Sequence, residues 1–465
     1  MDTEQKLEKR LSPLNVWALA FGCVIGWGAF VMPGDTFLKN AGPLGTLIAM
    51  SAAAVIMMIL SVNYSFMVNK YPVAGGSFIY AGHAFGPRHA YVCAWFLSLS
   101  YIAIVPLNAT ALALIGRNLM GGIFQVGYLY TVAGYDIYLG EILLAESALL
   151  LFALLSIRGV KTAGNFQTLL AVLLASGILV LLAGAILSPK ASLSHLFPLF
   201  PSGKPVLPGL FAVLAVAPWA FSGFDTIPQA AEEFSFSAKK TLFLMGLTCF
   251  MGALAYVLLS VLTVTVFPEG YSGWQEYISA SPSLKGLESL PTFFVAHELM
   301  GAPGLLIIGL AVLSAILSGI VGFYMAGSRL LYAMAEEGTI PSWFGALNSS
   351  SHTPHHAIFF IMGISLVAPF FGRTALGWIV DMSSLGAAIG YAYTSAAVIH
   401  FASEEGKTGY VATGILGLIF AAVFVIILLV PIPGLNCSLG RESWICLGAW
   451  ILLGLLFWFK SRKRA

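Results

Sequence analysis

Apolar stretches of about 20 residues, the length a helix needs to cross a bilayer, recur along the whole chain. They fall at 13–38, 43–69, 89–117, 138–157, 160–187, 206–231, 239–267, 303–334, 355–372, 374–402, 408–431 and 442–460. In hydrocarbon every backbone N–H and C=O must find a partner, so segments of this length cross as helices. The expectation is an all-α membrane protein with 12 transmembrane helices. Composition agrees. The chain is 59% hydrophobic and 9% charged, whereas a soluble domain carries roughly 25% charge. A net charge of +2 gives no case for a nucleic-acid partner, and the embedding medium is membrane lipid.

Residues 70–88 are too polar to span and read as an interfacial or re-entrant connection. Residues 268–302 form the longest loop, with room for short surface helices. Most of the 22 Lys and Arg residues fall on the side of the two termini, among them Lys6, Arg10, Lys239, Lys240, Arg329, Lys407 and the basic tail at 461–465. Positive residues stay inside, so both termini are expected in the cytoplasm. The membrane is expected to be the plasma membrane, in a bacterium the inner membrane. No short apolar region with a small-residue cleavage site precedes the first span, so that span is its own targeting signal. Five cysteines are scattered, Cys23, Cys93, Cys249, Cys437 and Cys446. None has metal-ligand spacing. Cys437 and Cys446 are near enough in sequence to bridge, though free thiols are the simpler expectation. No cofactor or firm metal site is expected.

Two spans contain their own interruptions. The first carries Gly22, Gly26, Gly28, Pro33 and Gly34 within 13 residues, a density that an unbroken helix tolerates poorly. The sixth carries Pro218, Gly223 and Pro228, with Asp225 beside the glycine. Five spans run from each break to the end of its half (1–5, then 6–10), so the second half lies upside down relative to the first. Paired breaks in inverted halves point to a ligand site near the bilayer midplane. The physics is specific. Unwinding frees N–H groups, which attract a carboxylate, and C=O groups, which accept from an ammonium. Such a pair suits a zwitterion. The competing expectation is a packing segment whose small residues let helices approach.

Four stretches resemble one family in order along the chain. They are Ile25-Gly-Trp-Gly-Ala-Phe30, Pro72-Val-Ala-Gly-Gly-Ser-Phe-Ile-Tyr80, Ser222-Gly-Phe-Asp-Thr-Ile-Pro-Gln-Ala-Ala-Glu-Glu233, and Gly327-Ser-Arg-Leu-Leu-Tyr-Ala-Met-Ala-Glu-Glu-Gly-Thr-Ile-Pro341. Together they resemble the amino acid–polyamine–organocation (APC) transporters. The resemblance implies a LeuT-type fold, a 5+5 inverted repeat with discontinuous helices 1 and 6, and alternating access. On that basis 1–12 is a cytoplasmic N-terminus, 13–187 the first repeat, 206–402 the second, 408–460 two further helices and 461–465 a basic cytoplasmic tail.

The same resemblance carries roles by position. The substrate carboxylate would meet the N–H groups of Gly26, Trp27 and Gly28, beside Ile25. The amino group would meet the carbonyls of Val24, Trp219 and Ser222. Phe221 and Phe224 would cap or gate the pocket, and Ser98, Tyr101 and Asn108 would add to its side-chain wall. Trp27 departs from the family, which usually has a small residue there. A large indole narrows the site or turns it toward amines through cation–π contact, unless it points into packing. A cation site between the first and eighth helices would use the carbonyls of Gly22, Ile25 and Ala315 and the hydroxyl of Ser318. Gly319 stands where a second hydroxyl is usual. The fifth-helix lysine of some proton-coupled relatives corresponds to Leu174. The candidate coupling ions are H+ and Na+, and neither device is complete.

Ionisable residues inside a membrane are functional candidates. Asp225 reads as a cap for freed N–H groups, with gating or proton coupling as its other candidate role. Glu232 and Glu233 read as gate residues at the cytoplasmic end, with Lys239, Lys240 or Arg329 as partners. Glu146 is isolated in the fourth span, a candidate proton site or a hydrogen-bonded group, and Asp381 opens the tenth near Ser383 and Ser384. No acid clearly lines the expected pocket. The chain is therefore expected to be a secondary active transporter, a permease or exchanger, for a small or medium neutral amino acid. An organic amine or polyamine is the alternative. No Ser/His/Asp order, metal cluster or phosphate loop argues for an enzyme. Channels favour pore-lining repeats over paired broken helices. A membrane receptor sensing amino acids is the rival of another class.

Overall fold

The computed structural model describes residues 7–435 and 437–462. Parts of the expected termini, including Lys6, Lys463 and Arg464, lie outside the described residues. The chain begins with α1 (Pro13–Val24), capped by Ser12, whose hydroxyl accepts from the Asn15 N–H. After a break at 25–27 it resumes as α2 (Gly28–Met32), passes through a π-turn at Pro33–Phe37 and continues as α3 (Leu38–Lys70). Gly42, at φ 70°, kinks α3. The first two expected spans thus form one apolar run, Pro13–Lys70.

The chain continues with α4 (Ser77–Phe85), α5 (Pro87–Leu119), a hairpin of β1 (Tyr128–Val132) and β2 (Tyr135–Tyr138), α6 (Leu139–Ile157) and α7 (Val160–Leu187). The sixth expected span is α8 (Val206–Ala215) and α9 (Ala217–Ala220), followed by 3₁₀ turns at Phe224–Thr226 and Pro228–Glu233. Then come α10 (Thr241–Thr263), α11 (Trp274–Ala280), α12 (Pro291–Met300), α13 (Ala302–Glu336), α14 (His355–Ser365), α15 (Arg373–Glu404), α16 (Thr408–Leu429) and α17 (Arg441–Arg462).

Among the described residues nine helical runs are long and apolar enough to cross a membrane. The difference from twelve has local causes. Gly42 bends a run without ending it, the sixth segment is cut into short pieces, and the ninth, His355–Phe371, is a shorter apolar helix. The chain is a predominantly helical, multi-pass membrane protein. It is not strictly all-α, because β1 and β2 pair antiparallel. Residues 70–88 hold α4, and the 268–302 loop holds α11 and α12.

The first break lies at the centre of the packing. Helix α1 lies against α7, α10 and α13, while α13 also packs on α5, and α15 packs on α5, α9 and α16. On the terminal side Arg10 and Leu11 donate their N–H groups to the Glu233 carbonyl at 3.0 and 2.9 Å, and the Ser235 N–H donates to Leu11. The entry to α1 is thereby tied to the exit of the sixth segment.

Candidate functional site

The two breaks face each other. α1 stops because Ile25 leaves helical geometry, at φ −97° and ψ 78°. The chain restarts with bonds from the Ala29 N–H to the Gly26 carbonyl and from the Phe30 N–H to the Trp27 carbonyl. The N–H groups of Gly26, Trp27 and Gly28 have no backbone partner among the described residues. Neither glycine has positive φ, so unwinding does not draw on that freedom here. In the sixth segment Gly223 does, at φ 144°. A Cβ there would lie 2.7 Å from both the Cys23 side chain and the Val24 nitrogen. Glycine at this position lets the two breaks touch.

Asp225 holds that turn. One carboxylate oxygen accepts the Gly223 N–H at 2.9 Å, and the other accepts the Tyr101 hydroxyl at 2.9 Å. Gln229 Nε2 donates to the Tyr101 oxygen at 3.4 Å. Tyr256 ties the breaks from the side. Its hydroxyl lies 3.2 Å from the carbonyls of both Val24 and Ala220.

Between the breaks is a cavity of about 20 Å³, counted as space for the centre of a water molecule. That is room for about one water. Its walls are Cys23, Val24, Gly26, Trp27, Ile104, Leu107, Asn108, Trp219 and Tyr256, with no acid or base among them. The two indoles meet edge to face, ring centroids 6.5 Å apart. A Cβ on Gly28 would fall 2.3 Å from a ring carbon of Trp219, whereas one on Gly26 would meet only Asn108 Oδ1, at 3.9 Å.

The structure brings Val24, Gly26, Trp27, Asn108 and Trp219 of the expected site to this cavity and sets Gly28 against its Trp219 wall. It places others elsewhere. Ser98 donates to the Trp95 carbonyl within α5. The Tyr101 hydroxyl serves Asp225. Phe224 packs on Tyr64 and Tyr391, and Phe221 on Tyr256. The Trp219 carbonyl accepts the Ser222 N–H at 3.0 Å. The Ser222 hydroxyl is buried and unpartnered, but outside the cavity lining. Tyr256, Ile104 and Leu107 were not expected.

At the expected cation position the Ser318 hydroxyl already has a protein partner. Gln167, on α7, donates its amide to the Ser318 carbonyl at 3.2 Å and, more closely, to the Ser318 hydroxyl. A Cβ on Gly22 would strike both groups. The fifth-segment residue that reaches Ser318 is thus Gln167, two turns before the buried Leu174. Ala315 is also buried there. Glu233 forms a two-pronged ion pair with Arg329, at 2.9 and 3.1 Å. Glu232 accepts from the Ala74 N–H at 3.4 Å. Glu146 is half-buried on α6, away from this cavity, and Asp381 accepts from the Ser443 hydroxyl at 2.6 Å. All five cysteines are free, Cys437 and Cys446 included. No group of three possible metal ligands occurs among the described residues.

A family model described as amino acid permease matches residues 11–457. The chain belongs to the amino acid permease family. Its members are transporters and not enzymes, and this member sits within the APC group that its four stretches resemble. Among its relatives, the permease is 23% identical over 99% of its length to a methylthioribose transporter of Bacillus subtilis (strain 168), covering 95% of that protein. It is 22% identical over 87% of its length to a branched-chain amino acid permease of Lactococcus lactis subsp. cremoris (strain MG1363), covering 84%. A vacuolar cationic amino acid transporter of Arabidopsis thaliana is 24% identical over 85% of this chain, which spans 63% of that relative's length.

Proposed function

We propose that this permease is a secondary active transporter that moves a small or medium neutral amino acid across the plasma membrane by alternating access. The observation that carries the reading is the pair of broken helical segments meeting at one cavity free of acids and bases. Unpartnered N–H groups at Gly26, Trp27 and Gly28 supply the carboxylate end. The carbonyl of Val24, loosely held by Tyr256, supplies the ammonium end. The 20 Å³ cavity is too small for an amino acid, so loading requires its walls to part, which fits a carrier that opens to one side at a time.

In this reading the chain has twelve spans in LeuT-type order. Residues 13–187 and 206–402 are the inverted repeats, 408–460 adds two helices, and both termini are cytoplasmic. Glu233 and Arg329 close the cytoplasmic side. The edge-to-face indoles of Trp27 and Trp219 favour a second reading, an organic amine held by cation–π contact. The test is a thermal-shift screen of amino acids and amines on purified protein, since a ligand that binds only the folded state raises its apparent stability. Concentrative uptake into proteoliposomes follows. Shifts by neutral α-amino acids together with their accumulation support the proposal. Shifts by amines alone select the second reading, and binding without accumulation selects a receptor.

A further inference from the structure

The cavity between the breaks is walled mostly by apolar groups, yet two of its lining residues carry a buried polar side-chain atom with no partner. These are Trp27 Nε1 and Asn108 Oδ1. Both residues are deeply buried, Trp27 at 5% and Asn108 at 2% exposure. Buried polar groups in proteins are nearly always paired, with protein or with water, and two orphans on one cavity mark a place where a water, or a ligand that displaces it, supplies the missing bonds.

Their chemistry is fixed by their surroundings. An indole nitrogen only donates. The Asn108 amide is held in one orientation, because Nδ2 donates to the Ile104 carbonyl at 2.9 Å. Turning the amide over would set two acceptors against each other. The amide also lies against Gly319, where a Cβ would come within 2.6 Å of Nδ2 and 3.0 Å of Oδ1. Any larger residue at 319 would displace it. The atom left to the cavity is therefore the acceptor, Oδ1, which lies 3.9 Å from the position of a Cβ on Gly26.

We infer that the site selects amino acids whose side chain carries both a hydrogen-bond donor and an acceptor, a hydroxyl or a carboxamide, with Asn108 Oδ1 receiving the donor and Trp27 Nε1 serving the acceptor. This rests on the neutral amino acid reading above and narrows it. The backbone groups of the breaks take the substrate's own carboxylate and ammonium, which leaves these two side chains for the remainder. An apolar substrate of the same shape would expel water and leave both wall groups buried without partners. Sites built to bond a hydroxyl or N–H reject the analogue that lacks it far more strongly than apolar pockets discriminate by size.

The test compares pairs of equal shape, threonine with valine and asparagine with leucine, by competition for uptake in proteoliposomes and by thermal shift. The wild-type protein should favour the polar member by about 10- to 100-fold. Asn108→Leu should bring that ratio to within about threefold of unity. Trp27→Phe, which keeps an aromatic wall and removes the donor, should reduce it in the same direction. Equal use of valine and threonine by the wild-type protein would overturn the inference and leave the amino acid reading standing. A uniform loss of every substrate in Asn108→Leu would also overturn it, since Asn108 would then serve the shared ammonium. If Asn108→Leu does not fold, the wild-type ratio and Trp27→Phe decide. Failure of all four to compete would overturn the inference, and only with no shift by any amino acid in the screen above would it sink the amino acid reading as well.

Discussion

Gly26 and Gly28 stand two residues apart in the first break, yet the structure gives them different neighbours. Gly28 lies under the Trp219 ring, with 2.3 Å for an added Cβ, and Gly26 faces the cavity, with only Asn108 Oδ1 at 3.9 Å. Gly28→Val should therefore push Trp219 out of the wall and abolish uptake, while the protein still inserts and reaches the membrane. Gly26→Ala should insert and fold like the wild type and lose only affinity, because its methyl group takes substrate space. Uptake and detergent melting of both variants check this. Normal transport by Gly28→Val would remove the first break from the site. Trp27 is tested in the other direction. Trp27→Ser deletes one indole of the facing pair and should extend acceptance toward larger side chains in the competition panel. A variant that loses amines selectively and keeps amino acid uptake would favour the amine reading instead.

At the scale of elements, the exit of the sixth segment is fastened to α13 by Glu233 and Arg329, each 1% exposed. Removing one partner of a buried ion pair leaves the other charge without compensation, a cost of about 3–5 kcal/mol. Glu233→Gln should thus lower the melting midpoint in detergent sharply. A Glu233→Leu/Arg329→Met double variant should recover much of that loss and still transport poorly, if the pair closes one side of the carrier. A double variant with wild-type uptake would show that the pair only stabilises. These elements were unequally legible in the sequence. The breaks could be read because glycine and proline act locally, and Asp225 because a carboxylate beside a glycine in an apolar span has few uses besides capping. Arg329 was one of three candidate partners, and only the fold brings it to Glu233. Tyr256 and Gln167 were obscure for the same reason, and for Asn108, an expected wall residue, only the fold shows that Oδ1 is the atom left unpartnered. Each of the first two looks like an ordinary helix residue until α10 and α7 are packed against α1. The hairpin of β1 and β2 is too short to stand out between two apolar spans, and Gly42 bends a helix where its composition alone suggests an end.

For the molecule as a whole, the remaining question is what drives transport. A sodium ion between α1 and α13 would need several oxygens converging on one point. The structure offers instead the Gln167 amide, whose nitrogen donates to both oxygens of Ser318. A donor there engages the one side-chain oxygen, the Ser318 hydroxyl, that a cation would use, and Gly319 supplies no second hydroxyl, its space being filled by the Asn108 amide. The bridge between α7 and α13, against Gly22 of α1, is therefore made by a neutral group that does not come and go with the ion gradient. We expect uptake to persist when sodium is replaced by choline, with exchange or proton assistance supplying the drive. The measurement is uptake into proteoliposomes in choline, with and without an imposed proton gradient. Gln167→Ala should weaken transport or thermal stability equally in sodium and in choline, because it removes a fixed strut and not an ion ligand. Abolition of uptake on sodium removal, reproduced by Ser318→Ala, would overturn this expectation and require the amide to swing aside for the ion.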